Sequence, residues 1–263
     1  MSTTVHPGSQ RYETIGAGYA RLRREDPLVR ARLHTALGDA RTVVNVGAGA
    51  GSYEPRDRHV IAVEPSEVMA AQRPAQLSPA IRASAASLPL RDRSVDAAMA
   101  VLTIHHWDAE RERGVRELRR VARGPVAILT FDANVFGRMW LIADYLPEVG
   151  ALDRKTMPAI DGVCGWLGGE TRVEAVPVTR DTPDWTLAAF WAHPERVLDA
   201  EARAATSGFA RMDQAVVERV ERAVRHDLET GAWDRRHGHL RELAEYDAGL
   251  RLLVNLPAGP GPR

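Results

Sequence analysis

Three glycines, Gly47, Gly49 and Gly51, close the apolar run Thr42–Val46. A buried strand that ends this way can turn sharply into a helix and let a ligand approach the backbone closely. The N–H groups that follow such a turn can receive an anion or a carboxylate. A second apolar run, His59–Val63, ends in Glu64, followed by Pro65 and Ser66. An acid at the tip of the second strand can accept hydrogen bonds from both hydroxyls of a ribose. The glycine spacing is Gly-x-Gly-x-Gly. A dinucleotide-binding turn would place its third glycine where this chain has Ser52. His105 and His106 follow a later apolar run, and Asp132 follows the next. Neighbouring strand ends would bring imidazole and carboxylate together, the acid orienting the ring and favouring its charged form. An imidazole so placed can take a proton from a hydroxyl near neutral pH.

These residues need a frame. Strands are predicted at Thr42–Val46, His59–Val63, Ala80–Arg82, Val95–Leu102 and Val126–Phe131, with helices filling most of the gaps. The clearest helix is Asp108–Val121. There Val115, Leu118 and Val121 recur at helical spacing and Asp108 is the expected N-cap. Apolar runs separated by helices imply a parallel sheet covered on both faces, with right-handed crossovers. On such a sheet the strand ends that carry Gly47, Glu64, His105 and Asp132 share one edge. After Phe131 the expected order is a helix at Val135–Leu146, a Gly/Pro-punctuated stretch through Gly169, a strand at Thr171–Val178, mostly helix over 184–245 and a final strand at Leu250–Asn255. One domain is expected over 11–255. Its cofactor half is 11–131 and its substrate or lid half 132–248, with unstructured ends at 1–10 and 256–263.

The chain of 263 residues carries 35 basic and 35 acidic side chains. A neutral chain lacks the footprint of a nucleic-acid binder or a polybasic membrane-surface protein. No apolar run approaches the ~20 residues of a membrane span, so a cytoplasmic location is expected, with no nucleic-acid or membrane partner. Cys164 is the only cysteine, which excludes an intramolecular disulfide and a thiolate metal cluster. His237 and His239 in their basic stretch, and Cys164 in a Gly-flanked loop, read as structural. Trp140, Tyr145 and Trp166 are candidates for an apolar acceptor pocket below a helical lid.

The motifs together resemble one family. Asn45-Val-Gly-Ala-Gly-Ala-Gly51 is similar to motif I of the class I S-adenosylmethionine-dependent methyltransferases, and Val63-Glu64-Pro65-Ser66 with Met69 to their motif II. The segment Ala83–Leu90 followed by Ser94-Val95-Asp96 resembles their adenine-contacting stretch. Val101–Trp107 resembles the fourth-strand end of the UbiE-like, type 11 small-molecule branch. Tyr12–Asp26 resembles an N-terminal helix that folds over the cofactor. The likeness covers about 12–131. It implies a doubly wound, Rossmann-like α/β sheet of about seven strands with a helical insertion before the last.

The resemblance further implies S-adenosylmethionine as cofactor and a small-molecule acceptor, with oxygen, nitrogen and carbon as acceptor atoms all open and oxygen first. Gly47, Gly49 and Gly51 would pass under the methionyl part and Glu64, with Pro65 and Ser66, would hold the ribose. Ser84 and Ala85 would flank adenine, Leu102 and Thr103 would line the methyl, and Tyr19 would touch the cofactor. His105 would be the base, His106 the second choice and Asp132 the partner. No metal is implied, since histidine stands where the metal-dependent members place an acid. Two departures stand out: Asn45 where motif I usually opens with an acid, and Ser84 where an Asp is common. They keep a non-catalytic cofactor-binding protein as the alternative.

Overall fold

The computed structural model describes residues 24–257. Most of the segment expected as an N-terminal helix, Tyr12 and Tyr19 included, lies outside them. A seven-stranded sheet runs in the order β3-β2-β1-β4-β5-β9-β6. Its strands are β1 (Thr42–Val46), β2 (His59–Val63), β3 (Ala80–Ile81), β4 (Ala97–Val101), β5 (Val126–Phe131), β6 (Thr171–Ala175) and β9 (Leu250–Asn255). β1 to β5 are parallel, and β9 enters antiparallel between β5 and β6. The doubly wound α/β expectation therefore holds.

Alternation along the central strands sorts side chains into two layers. Val44, Ala98, Ala100 and Ile128 face Val115, Leu118 and Val121 of helix α3 (Arg111–Val121) and Val163 and Leu167 of α6 (Ile160–Leu167). Val43, Ala97, Met99, Ala127 and Leu129 face Val29, Leu33 and Ala36 of α1 (Pro27–Ala36). Helix α3 buries only its apolar stripe and leaves its Arg and Glu residues outward, each buried apolar side chain contributing roughly 1.5–3 kcal/mol. Helix α1 starts on Pro27, and Asp26 caps it by accepting from the N–H groups of Leu28 (2.8 Å) and Val29 (3.3 Å). A third core gathers the segment between β5 and β9 around Trp140, Phe190, Trp191 and Trp233.

Several boundaries differ from expectation, each for a physical reason. Val95 makes only an isolated bridge to Ala122, and Leu102 turns to φ +50°, so the fourth strand is shorter at both ends. Asp108 does not cap α3: a 3₁₀ turn over Asp108–Glu110 precedes the helix, and Asp108 sits at φ +47°. The single helix at Val135–Leu146 is instead α4 (Ala133–Phe136) and a π-helical turn at Leu141–Tyr145. The punctuated stretch to Gly169 is mostly helical. Pro147 occupies the first turn of α5 (Pro147–Thr156), where its missing N–H costs nothing, and α6 follows. Thr171–Val178 divides, because Val178–Thr179 leaves the sheet as β7 to pair with β8 (Glu245–Tyr246). Within 184–245 the helices are short apart from Gln214–Glu229.

Asp96 joins the entries of β1 and β4. Its Oδ2 accepts from the N–H groups of Arg41 (3.0 Å) and Thr42 (2.8 Å) and from Thr42 Oγ1 (2.9 Å). The Thr42 backbone and hydroxyl bonds, with Arg123 nearby, lower its pKa to about 2. Because the folded value lies below the unfolded one, the stabilisation is fully present above about pH 4 and is lost as pH falls through about 2. Urea unfolding of the native chain and Asp96→Asn should show a gap in midpoint that narrows between pH 4 and 2. A pH-independent gap would contradict it.

Candidate active site

The glycine turn is fixed by its neighbours on both sides. Gly47 and Ala48 donate to the carbonyl of Val63, at 2.8 and 3.0 Å. Glu64, 7% exposed, reaches back with Oε2 to the N–H of Gly49 and forward with Oε1 to the N–H of Ser66, both at 2.8 Å. One carboxylate thus ties the turn after β1 to the start of helix α2 (Glu67–Ala71), which Ser66 caps by accepting from the N–H of Met69. Pro65 between them is exposed. Gly47 (φ +69°) is a position of close approach, since a Cβ there would fall 2.1 Å from Thr103 Oγ1. Thr103 follows Leu102 just past β4, so the first glycine sets how near the ends of β1 and β4 can come.

Beneath the turn lies a cluster that the motifs did not indicate. Asn45, 2% exposed, donates from Nδ2 to Glu54 Oε1 at 3.0 Å. Glu54 takes both its oxygens to Arg73 Nη2, at 2.8 and 3.0 Å. Arg73 also donates to the carbonyls of Gly49 (3.3 Å) and Ser78 (3.0 Å). Asn45 Oδ1 is buried without a hydrogen-bond partner, so it can accept from a donor group of a ligand. Sequence reasoning missed Glu54 and Arg73 because their pairing spans nineteen residues and follows no periodicity.

The remaining expected residues occupy the same sheet edge. Leu102, at φ +50°, donates its N–H to the carbonyl of Leu129 at 2.8 Å. A non-glycine residue in that conformation is costly and is found where surrounding structure enforces it, often at functional sites. His105 and His106 lie in the 3₁₀ turn Ile104–His106, their rings 3.9 Å apart at 46°. Asp132 accepts the N–H of Asn134 at 2.9 Å on Oδ1, capping α4, and its own N–H is held by Gly249. Asp132 Oδ2 takes no hydrogen bond among the described residues, so the expected pairing of Asp132 with His105 or His106 is not formed: the carboxylate serves as the cap of α4 instead. Ser84 accepts the N–H of Ala86 (3.2 Å) and donates to Glu110 (3.1 Å), with Ala85 buried beside it.

A small cleft opens beside this edge. It is lined by Leu102, Leu129, Phe131, Val178 and Leu250, with Tyr53, Asp26, Thr182 and Asp184 among its polar groups. Thr182 donates to Asp26 at 2.6 Å, and the hydroxyl of Tyr53 accepts the N–H of Asp26 at 3.0 Å. The aromatic residues expected to form an acceptor pocket do other work. Trp140 and Tyr145 are buried in the third core, and Trp166 packs against the α3–α6 layer. His237 is bonded to Asp144 at 2.8 Å. Cys164 is inside α6, not in a loop, and burial pushes its thiol pKa up. Among the described residues no group of three or more His, Cys, Asp or Glu side chains could hold a metal ion, and no helix is long and apolar enough to cross a membrane.

Comparison with known proteins agrees with this geometry. A family model described as a methyltransferase domain matches residues 44–127. The chain is 31% identical to a putative methyltransferase from an antibiotic biosynthesis pathway of Anabaena variabilis, with a TM-score of 0.80 over 89% of this chain and 98% of that one. It shares its fold with a SAM-dependent methyltransferase of Thermotoga maritima, a possible histamine N-methyltransferase. That similarity is 16% identity and a TM-score of 0.51 over 94% of this chain and 95% of that one. No curated protein matches.

Gly47→Ala should cost about 2–4 kcal/mol, combining backbone strain with collision against Thr103. Adding Thr103→Gly should recover the collision part only. Denaturant midpoints of the two variants check this, and an unchanged midpoint for Gly47→Ala would contradict the close approach.

Proposed function

This chain belongs to the type 11 branch of the S-adenosylmethionine-dependent methyltransferases, and we propose that it methylates a hydroxyl of a small molecule held in the cleft beside Leu102. The observation that carries this reading is the position of that cleft. Its wall includes Leu102, just past the end of β4, and Leu129 and Phe131 of the neighbouring β5, and Leu102 directly precedes Thr103, the residue that lies against Gly47 of the turn.

The residues of the turn fit the cofactor. The orphaned Asn45 Oδ1 suits the ammonium of the methionyl end, Glu64 with Pro65 and Ser66 suits the ribose, and Ser84 with Ala85 suits adenine. Bound S-adenosylmethionine supplies an electrophilic methyl on a sulfonium, ready for in-line displacement. The chain's own task is then chiefly alignment. Leu102 lines the cleft, and Thr103 beside it lies against Gly47 of the turn. The apolar side chains of Leu129, Phe131, Val178 and Leu250 exclude water around the acceptor. His105 accepts the hydroxyl proton as the oxygen–methyl bond forms and the sulfur–methyl bond breaks, with His106 as the second candidate. Asp132, whose Oδ2 is not engaged by a described residue, is the candidate to orient the ring once acceptor and cofactor are bound.

A nitrogen acceptor is the second reading. It is favoured by Asp26 and Asp184, two buried carboxylates in the cleft wall. Transfer to a neutral amine is helped mainly by proximity and does not depend on a base at His105.

Incubation with S-adenosylmethionine and a panel of small hydroxyl and amine acceptors, read by mass spectrometry, tests both readings. For a hydroxyl product, His105→Ala should lower the rate on the order of 10²–10⁴-fold and flatten its pH profile. Val178→Trp should fill the cleft and abolish transfer while S-adenosylhomocysteine still binds. Undiminished transfer in Val178→Trp would place the acceptor elsewhere, and an unaltered rate in His105→Ala would remove the base.

A further inference from the structure

The residues below the glycine turn carry a more specific assignment. We propose that Glu54 is a positioning residue for the methionyl end of the cofactor, acting through Asn45 and itself held by Arg73. This rests on the reading that S-adenosylmethionine binds at the glycine turn.

A carboxylate paired with a guanidinium can only accept. The group Asn45 presents to Glu54 must therefore be its NH₂, as the 3.0 Å contact has it. That choice fixes the amide. Oδ1 faces away from Glu54, and it is the atom left buried without a partner. A buried unpaired acceptor costs about 1–3 kcal/mol, a cost that a bound donor removes. Asn45 lies two residues before Gly47, at the end of β1, where the methionyl ammonium is the donor that the turn would bring. Without Glu54 the amide could rotate and present a donor to that cation instead.

Arg73 makes the arrangement durable. The side chains of Arg73 and Glu54 are 4% and 0% exposed. Burying two charges is expensive unless every remaining donor is used. Here Arg73 also holds the carbonyls of Ser78 and Gly49. The same Gly49 donates its N–H to Glu64, so both faces of one peptide segment are tied down. The chain thus keeps a carboxylate near the methionyl end despite having Asn45 where an acid is usual. The charge sits behind the amide, on Glu54 nine residues along the chain, neutralised by Arg73, and recognition passes through an oriented amide.

The assignment separates the two ends of the ligand. S-adenosylhomocysteine carries the amino-acid end, and 5′-methylthioadenosine has the same nucleoside without it. Calorimetric titration of both into the native chain, Glu54→Gln, Asn45→Asp and the double exchange Asn45→Asp/Glu54→Gln gives the ratio of their affinities. Glu54→Gln should weaken S-adenosylhomocysteine about tenfold and leave methylthioadenosine within about twofold. Asn45→Asp places like charges side by side and should weaken it similarly. The double exchange restores one acid and one amide, and should return the ratio to within about threefold of native. If Glu54→Gln does not fold, the comparison of Asn45→Asp with the double exchange carries the test. Equal losses for both ligands, or no recovery in the double exchange, would overturn the assignment. Failure of the native chain to bind either ligand would instead overturn the cofactor reading itself.

Discussion

The carboxylate of Glu64 is the interaction on which the edge of the sheet depends. It joins three pieces that are distant in sequence: the glycine turn, the tip of β2 and the first turn of α2. Each is short, and none could hold its conformation alone. The turn needs left-handed backbone at Gly47, Gly49 and Gly51, which is accessible but not favoured. Hydrogen bonds to a charged acceptor are worth about 1.5–3 kcal/mol each, enough to select one conformation of the loop. The same carboxylate is the group expected to meet a ribose, so the scaffold and the proposed ligand contact share their atoms.

From that point the structure builds outward in two directions. Below the turn, Glu54 and Arg73 fill the space with a buried ion pair whose spare donors hold the loop carbonyls. Across the sheet, Gly47 lets Thr103 come close, and Leu102 takes up the sharp bend that follows β4. The cleft lies where that bend meets the insertion. Val178 and Thr182 come from a segment that leaves β6, and Leu250 begins the strand that closes the sheet. The insertion has its own aromatic core, and Trp140 Nε1 donates to the carbonyl of Trp191 at 2.9 Å inside it. The cleft wall is thereby mounted on a packed unit.

Local pattern revealed the first strands of the sheet because their signals are local. β1, β2 and β5 are runs of buried aliphatic residues with turn residues at their ends, and their bounds in the structure match the expectation. Glu64 was legible because its place after a strand is set by spacing. The insertion was less legible. Gly150, Gly162 and Gly165 suggested a loop, yet tertiary packing keeps them in helices, and Gly150 in particular leaves room for Ile142. The cleft was illegible for a different reason. Asp26, Tyr53, Thr182 and Leu250 share no segment, and only the sheet order brings them together. The conspicuous aromatic residues misdirected the search, since large apolar rings serve a core at least as well as a pocket.

The central claim is that Glu64 and the glycine turn form one cofactor site. The most direct measurement is calorimetric titration of S-adenosylmethionine into the native chain and into Glu64→Ala, with folding of both checked by circular dichroism. The account predicts saturable one-to-one binding that weakens about a hundredfold or more in the variant. Absence of binding by the folded native chain, or equal binding by the two, would contradict it.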